Sequence, residues 1–410
     1  MKVPVQPVVN IGVTGHVDHG KTQLVYKLTG DKTDRHSEEI RRGISIRLGY
    51  ADAAFYKCPH EEGPKAYTTK EACPHCGKKT EFLRAVSFVD SPGHETLMAT
   101  MLSGAAIMNG ALLVIAANEK CPQPQTREHL VALGIIGVER IIIVQNKVDI
   151  VTEEEARENH RQIVAFVQGT VAENAPIIPV SAQHDVNIDV LIQTMEEIIP
   201  SPTFDAAKPP RMYVSRSFDI NKPGSPVEEF AGGVLGGSLL QGTLKVGDEI
   251  EVAPGVSVTH GTKQTWHGLT TQVVSLHTGG SARKEAKPGG LIAVRTDLDP
   301  SLTKSDSLVG RVIGPRGTLP GMVSKLTLEV HLLENVVGVA EDIKVEGVKT
   351  NEPLMVSVGT ATTVGVVTSA RGAVAEMNLK IPVAAEAGQR VALSRRIAQK
   401  WHLIGHGVLK

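Results

Sequence analysis

The sequence predicts an α/β domain with a mostly parallel sheet, followed by two β-barrel domains. Up to about residue 200, apolar strands alternate with amphipathic helices, which is the pattern of a sheet covered by helices on both faces. Beyond a proline-rich linker at 200–210, short apolar strands such as 244–252 are separated by Gly-rich turns. That pattern, with little helix, is typical of β-barrels.

The bounds of the elements follow from the same periodicity. In the first domain, placed at 1–205, strands are predicted at 8–14, 86–90, 110–117, 140–146 and 177–181, and helices at 21–29, 94–108, 126–136, 153–168 and 188–198. Residues 30–82 interrupt this alternation, and they include an insertion at about 56–80 that carries three of the four cysteines. The barrels are placed at 206–325 and 326–410, with the boundary drawn at Gly317, Pro320 and Gly321.

Residues 15–22, Gly-His-Val-Asp-His-Gly-Lys-Thr, match the phosphate-loop pattern GxxxxGK[ST] between an apolar strand and a helix. The glycines let successive backbone N–H groups point at phosphate oxygens, next to a helix N-terminus that favours an anion. Lys21 is expected to reach the β- and γ-phosphates, and the Thr22 hydroxyl to bind Mg²⁺. The sequence therefore predicts a nucleoside triphosphate site, with contacts from Asp18, His19, Gly20, Lys21, Thr22 and Gln23.

Two further segments point to a ligand-sensing switch. Residues 86–94 form an apolar strand that ends at Asp90, which is expected to hold Mg²⁺ through water, and continue through Gly93 to His94. Between the phosphate loop and Asp90, residues 41–46 place Ser45 where its hydroxyl reaches Mg²⁺ only when the γ-phosphate is present. We interpret this segment as a switch that is ordered by the bound triphosphate and released after its hydrolysis.

Two more strand ends specify the base. Residues 141–149 place Asn146, Lys147 and Asp149 after a buried strand, and the Asp149 carboxylate can accept hydrogen bonds from the N1 and 2-amino groups of guanine. Adenine offers no such donors, and a carboxylate left unpaired against it would be costly. A later strand end offers backbone amides to the guanine oxygen, from Ser181, Ala182 and Gln183. The four motifs in this order predict GTP.

Together these motifs resemble the translational GTPases typified by elongation factor Tu. Within them, several stretches resemble the gamma subunit of archaeal and eukaryotic translation initiation factor 2, namely 46–51, 122–129, 132–137, 216–224 and 232–238. The resemblance runs from residue 5 to residue 410. It implies a P-loop GTPase domain followed by two β-barrel domains, and an enzyme that hydrolyses GTP to GDP.

The resemblance also implies roles for single residues. His94 matches the residue that positions the attacking water, and no arginine finger is visible, so we expect slow hydrolysis without a partner. Asp18 and the Gly43 carbonyl match positions that serve a second Mg²⁺ in the gamma-subunit relatives. The alternative for Asp18 is a solvated carboxylate in the loop.

Three cysteines have the spacing of a zinc site, Cys58-x14-Cys73-x2-Cys76. Thiolates at the second spacing can share one tetrahedral Zn²⁺. The relatives usually carry four cysteines here, but this chain has Glu61 where the fourth would stand. The fourth ligand is then His60 or Glu61, with His60 the softer donor, or the insertion is free of metal.

For partners, the resemblance implies an initiator methionyl-tRNA, the alpha and beta subunits of the same factor, and the small ribosomal subunit. Tyr50 matches a position near the acceptor end of the tRNA, where its ring can stack on the terminal adenine, or it is a core residue. Two alternatives remain: a GTP-binding scaffold with vestigial hydrolysis, and a related elongation-type tRNA carrier.

Bulk properties limit the remaining function classes. A chain of 410 residues with a net charge of −1 is no general polycation, so RNA binding requires local basic patches. The sequence has no apolar run of 18 residues and no basic-then-apolar leader, and four cysteines do not suggest a disulfide framework. We expect a cytoplasmic protein without a membrane partner.

Overall fold

The computed structural model describes residues 3–33, 47–94, 97–222, 224, 226–261, 263–338 and 343–410. The chain divides into two compact units, one formed by residues 1–202 with 335–344 and the other by 203–334 with 345–410. Among the described residues, no helix is both long and apolar enough to cross a membrane.

The first unit is built on a seven-stranded sheet. Its strands are β1 Asn10–Gly15, β2 Gly49–Lys57, β3 Tyr67–Thr68, β4 Glu81–Asp90, β5 Gly110–Ala116, β6 Ile141–Asn146 and β7 Ile177–Pro179. They are arranged in the order β3-β2-β4-β1-β5-β6-β7. Strands β4, β1, β5, β6 and β7 are parallel, whereas β2 pairs antiparallel with β3 and β4. The loops that carry the predicted ligand-binding motifs therefore lie together at the carboxyl ends of β1, β4 and β6.

Five α-helices belong to this unit among its described residues. They are α1 Lys21–Thr29, α2 Met98–Ala105, α3 Pro124–Ile136, α4 Glu153–Val167 and α5 Ile188–Ile198. Helix α4 begins at a capping box, because the Thr152 side chain accepts from Glu155 N–H while the Glu155 carboxylate accepts from Thr152 N–H. The central strands β1 and β5 are buried along their whole length, as expected when helices cover both faces of a sheet.

The second unit contains two barrels. The strands of the first are β8 Arg211–Phe218, β9 Val234–Gln241, β10 Leu244–Lys245, β11 Glu249–His260, β12 Lys263–Thr278, β13 Ser281–Arg283, β14 Glu285–Ala286, β15 Ile292–Thr296 and β16 Val312–Gly314. Six of them form the ring β11-β16-β8-β9-β15-β12, closed by pairing of β11 with β12. β13 adds to β12, and β10 pairs with β14.

The second barrel is a closed ring of six strands. They are β17 Met322–Leu332, β18 Pro353–Val358, β19 Ala361–Arg371, β20 Val374–Ala384, β21 Arg390–Ile397 and β22 Lys400–Leu409, in the order β17-β20-β19-β18-β21-β22. Each barrel has its own apolar core. Where the barrels meet, Arg211 Nη1 lies 3.0 Å from Glu386 Oε1, and the Tyr213 hydroxyl accepts from Gln389 Nε2 at 3.3 Å.

The structure confirms the predicted fold class, an α/β domain followed by two barrels. It adds β2 and β3 to the sheet, in the stretch where the sequence pattern predicts only an interruption. Strand β2 is rich in alanine, which has a low propensity for β-strands. The strand forms because it pairs with β4 along Gly49–Lys57. The Cys-bearing insertion therefore extends from a sheet edge.

Candidate functional site

The phosphate loop connects the end of β1 to the start of α1, and its two glycines are required by close packing. Gly15 has φ +136°, and a Cβ there would lie 2.2 Å from the carbonyl oxygen of Val114. Gly20 has φ +88°, and a Cβ there would lie 2.3 Å from Asn146 Nδ2. Any larger residue would clash and strain the backbone. The loop thus packs closely against Asn146, at the end of β6.

Lys21, Thr22 and Asp90 meet beneath this loop. The Thr22 hydroxyl donates to Asp90 Oδ2 at 2.8 Å, and Lys21 Nζ donates to the carbonyl of His16 at 2.5 Å. Lys21 and Asp90 are buried. A buried amine, a hydroxyl and a carboxylate in this arrangement suit a phosphate with its Mg²⁺.

Thr33 is a member of this cluster that the sequence analysis missed. Its hydroxyl also donates to Asp90 Oδ2, at 2.7 Å. No motif marks this threonine, because it reaches the site through the chain path after α1 and not through a fixed spacing.

The turn after β4 lies directly against the phosphate loop. A Cβ on Gly93 would lie 2.5 Å from Lys21 Nζ and 2.9 Å from the carbonyl oxygen of Gly15. His94, the expected water-positioning residue, is half-buried at the next position. The structure therefore brings the Pro92-Gly93-His94 turn to the same end of the sheet as Lys21.

The predicted base-reading residues cluster at the ends of β6 and β7. Asn146 Nδ2 donates to the His19 carbonyl at 2.9 Å, and Asn146 Oδ1 accepts from the Ala182 N–H at 3.1 Å. Lys147 has φ +65°. A hydrogen bond from the Ser181 side chain is the main cause that lowers the pKa of Asp149, which keeps its carboxylate ionised at neutral pH.

The amides of Ser181 and Ala182 already have partners inside the protein. Ser181 N–H donates to the Val186 carbonyl at 3.2 Å, so it is the Ser181 hydroxyl that contacts Asp149. Gln23 Nε2 donates to Gln183 Oε1 at 3.3 Å, which joins α1 to the loop after β7. The exposed His184, which the sequence analysis did not single out, has its Nε2 3.6 Å from Asp149 Oδ2.

Three histidines around the phosphate loop have lowered pKa values. Burial lowers the pKa of His16, that of His19 to about 4, and that of His129 on α3 to about 3. His19 Nδ1 donates to the Val114 carbonyl at 3.0 Å, and its Nε2 lies 3.4 Å from Glu119 Oε2. His19 is neutral at pH 7, so this last contact is no ion pair there. The positive charge under the loop therefore comes from Lys21.

Two predicted Mg²⁺ contacts, Ser45 and the Gly43 carbonyl, lie outside the described residues. Asp18, which was predicted to serve a second Mg²⁺ together with Gly43, is exposed and has φ +60°. Tyr50 is half-buried on β2, opposite Val89 of β4, near the Asp90 end of the sheet.

The three insertion cysteines come together at the sheet edge. All three Sγ atoms lie within 4.8 Å of one another, and those of Cys58 and Cys76 are 3.5 Å apart. Backbone N–H groups of Cys76 and His75 donate to Cys73 Sγ and lower the pKa of that thiol. These donors stabilise a thiolate, so the cluster fits a soft metal ion such as Zn²⁺. Cys121 is apart from it, and burial raises the pKa of its thiol to about 12.

Comparison with known proteins decides the family. Residues 6–201 match the Elongation factor Tu GTP binding domain, and residues 324–409 match Initiation factor eIF2 gamma, C terminal. The chain is 60% identical over 405 residues to translation initiation factor 2 subunit gamma of Methanocaldococcus jannaschii, covering 99% of this chain and 98% of that protein. The protein of the same name from Methanothermobacter thermautotrophicus is 62% identical, with 99% of each chain covered. The chain belongs to the translation initiation factor 2 subunit gamma family.

Solved structures agree with this family at the level of fold. A bacterial selenocysteine-specific elongation factor superposes with a TM-score of 0.74 and 25% identity, covering 98% of this chain and 58% of that one. The elongation factor SelB of Methanococcus maripaludis, solved with the GTP analogue GPPNHP, gives a TM-score of 0.71 at 22% identity, covering 100% of this chain and 80% of that one.

Membership of the translation initiation factor 2 gamma family confirms the resemblance seen in the sequence. The chain is a translational GTPase that binds GTP, GDP and Mg²⁺, and its family fits the delivery of initiator tRNA. A scaffold with vestigial hydrolysis and an elongation-type carrier are not favoured. As a translation initiation factor it acts with tRNA and the ribosome.

Proposed function

We propose that this chain, in its GTP form, carries initiator methionyl-tRNA to the small ribosomal subunit together with the alpha and beta subunits of the factor. GTP hydrolysis then drives release, and the protein works in the cytoplasm. The observation that carries the proposal is the hydrogen bond from the half-buried Thr22 to the buried Asp90, next to Lys21, since it joins the two loops on which a γ-phosphate acts. The proposed domain limits are 1–205, 206–325 and 326–410.

The nucleotide is held by the residues predicted from the motifs. Lys21 and the loop amides take the phosphates, and Asp149 reads guanine with support from the Ser181 hydroxyl. Thr22 and Ser45 are the direct ligands of Mg²⁺, and Asp90 binds it through water. Asp18 and the Gly43 carbonyl serve a second Mg²⁺. The remaining contacts come from His19, Gly20, Gln23, Asn146, Lys147, Ala182 and Gln183.

For hydrolysis, His94 orients the attacking water, while Lys21 stabilises the charge that spreads over the phosphoryl oxygens. Bound Mg²⁺ supplies further positive charge at the phosphates. His94→Ala is expected to lower the rate of single-turnover GTP hydrolysis by about 100-fold or more. The rate is measured with the small ribosomal subunit at saturating concentration. His160→Ala, at an exposed position on α4, is the matched control. An unchanged rate in the His94 variant would exclude this role.

The insertion is proposed to bind Zn²⁺ through Cys58, Cys73 and Cys76, because their sulfur atoms are already at the separations that a shared ion needs. Tyr50 is proposed to stack on the terminal adenine of the tRNA. Since stacking needs only the ring, Tyr50→Phe should keep tRNA affinity and Tyr50→Ala should lower it.

The decisive test of cargo is a filter-binding competition between initiator and elongator methionyl-tRNA, with GTP and then with GDP. Both tRNAs carry methionine, so only the tRNA body differs. We expect preferential retention of the initiator tRNA with GTP, and weaker retention with GDP. Equal retention of both tRNAs would contradict the proposal.

A further inference from the structure

The insertion cysteines form a site with three sulfur ligands of unequal exposure. Cys58 and Cys73 are buried, whereas Cys76 is exposed. The chain around them is tied by backbone hydrogen bonds, from Cys58 N–H to the Ala66 carbonyl at 2.7 Å and from Cys73 N–H to the Lys78 carbonyl at 2.8 Å. One side of the cluster is thus closed by the protein, and the side of Cys76 faces solvent.

The sulfur separations suit one tetrahedral ion. With Zn–S bonds of about 2.3 Å, tetrahedral geometry places sulfur atoms about 3.8 Å apart. The Cys58–Cys76 separation of 3.5 Å and the 4.8 Å limit for all three pairs bracket this value. Backbone N–H groups donate to two of the sulfurs, from His60 to Cys58 Sγ and from His75 to Cys73 Sγ. They lower the pKa of Cys73, whereas burial raises that of Cys58.

Among the residues that the structure describes, no histidine, aspartate or glutamate joins the three cysteines as a fourth ligand. All residues of 56–80 are described, yet no donor atom of His60, Glu61 or His75 lies within 4.8 Å of all three sulfurs. His60 is exposed and Glu61 is half-buried. Ordering a side chain to reach the ion costs conformational entropy, and a carboxylate is a harder donor than the site favours.

We propose that Cys58, Cys73 and Cys76 supply three thiolate ligands to Zn²⁺ and leave the fourth position, beside Cys76, open to a small thiol from solution. This rests on the zinc proposal above. In other proteins, three protein ligands with an open fourth position are typical of catalytic zinc sites, where a water or substrate occupies that position. The entering thiol loses its proton to solvent, its sulfur bonds to the ion in place of solvent, and no electron is transferred.

The test uses Co²⁺ in place of Zn²⁺ in the whole chain, with GDP and excess Mg²⁺ present and a phosphine as the reductant. Sulfur-to-cobalt charge-transfer absorption reports the number of bound thiolates. We expect this absorption on adding one equivalent of Co²⁺, and a rise of about one third on titration with 2-mercaptoethanol, because three sulfur ligands become four. A charge-transfer absorption that does not change on titration with 2-mercaptoethanol would show that the fourth position is not open. Absence of the absorption would instead refute zinc binding itself.

Two variants of Glu61 test whether this residue occupies the fourth position. Glu61→Cys should show the four-thiolate spectrum without added thiol and should lower the Zn²⁺ dissociation constant at least about tenfold. Glu61→Gln should respond to 2-mercaptoethanol as the unchanged chain does. If 2-mercaptoethanol raises the charge-transfer absorption of Glu61→Gln but not that of the unchanged chain, Glu61 occupies the fourth position and the inference is wrong. Cys121→Ser, at a buried thiol apart from the cluster, is the control.

Discussion

The Nδ1 atom of His129 accepts a hydrogen bond from the backbone N–H of Gly15 at 2.9 Å, so helix α3 holds the first glycine of the phosphate loop. Both residues are buried. Because Nδ1 is the acceptor, the neutral ring carries its proton on Nε2. Burial lowers the pKa of His129 to about 3, which preserves this state at neutral pH.

The first prediction concerns this hydrogen bond. His129→Leu leaves the Gly15 N–H buried without its acceptor, which costs about 1–3 kcal/mol. We expect a lower free energy of unfolding and faster GDP dissociation, measured with a fluorescent GDP analogue. His129→Asn keeps an oxygen acceptor near the place of Nδ1 and should recover part of both losses. Equal behaviour of the Leu and Asn variants would show that the hydrogen bond is not the cause.

The second prediction is a pH dependence of stability that comes from the same histidine. In the unfolded chain its pKa is near 6.5, whereas in the folded chain it is about 3. Between these values only the unfolded state binds the proton, so stability is complete above pH 6.5 and is lost as pH falls toward 3. At pH 5 the loss from this group is on the order of 2 kcal/mol.

Urea denaturation at pH 7.5 and pH 5.0 measures this loss. Because other groups also titrate, the quantity to compare is the change between the two pH values in the unchanged chain and in His129→Asn. The variant should lose less stability on acidification. Identical losses would contradict the assignment.

The third prediction concerns guanine recognition. Asp149→Asn replaces the ionised acceptor with an amide, which loses a charge-assisted hydrogen bond worth about 1.5–3 kcal/mol. We therefore expect GTP affinity to fall by roughly 10- to 100-fold. The Asn side chain can donate to the 2-oxo group of xanthine, so affinity for xanthosine triphosphate should rise. Competition binding with the two nucleotides tests both changes, and unchanged preference for GTP would refute the role of Asp149.

The fourth prediction concerns Gly93, whose added Cβ would lie 2.5 Å from Lys21 Nζ. Gly93→Ala must displace either the amine or the turn, at a cost of about 1–3 kcal/mol. We expect slower single-turnover GTP hydrolysis with a smaller effect on GDP binding, since Lys21 is proposed to bind the γ-phosphate that GDP lacks. Gly321→Ala is the control, because a Cβ there meets no atom within 4 Å. Equal hydrolysis rates in the two variants would exclude the clash.

Much of the site could be predicted because its chemistry depends on short spacings. Residue types and spacing alone identify three of its motifs, namely the loop 15–22, the strand end at Asp90, and Asn146 with Asp149. The helices 21–29 and 188–198 were predicted with their observed bounds, since their apolar periodicity is strong. The alanine-rich strand β2 has no such signal and was missed.

The sequence by itself determined the ligand class, the family and the order of one α/β domain and two barrels, because local patterns encode backbone turns, periodicity and donor types. Only the tertiary structure decided that Thr33 joins Asp90, that His129 holds Gly15, and that three cysteines meet without a fourth ligand nearby. These contacts join residues that are 18 to 114 positions apart along the chain, or they depend on where a side chain is placed. Sequence spacing does not determine which distant residues come together in space, because tertiary packing sets those distances.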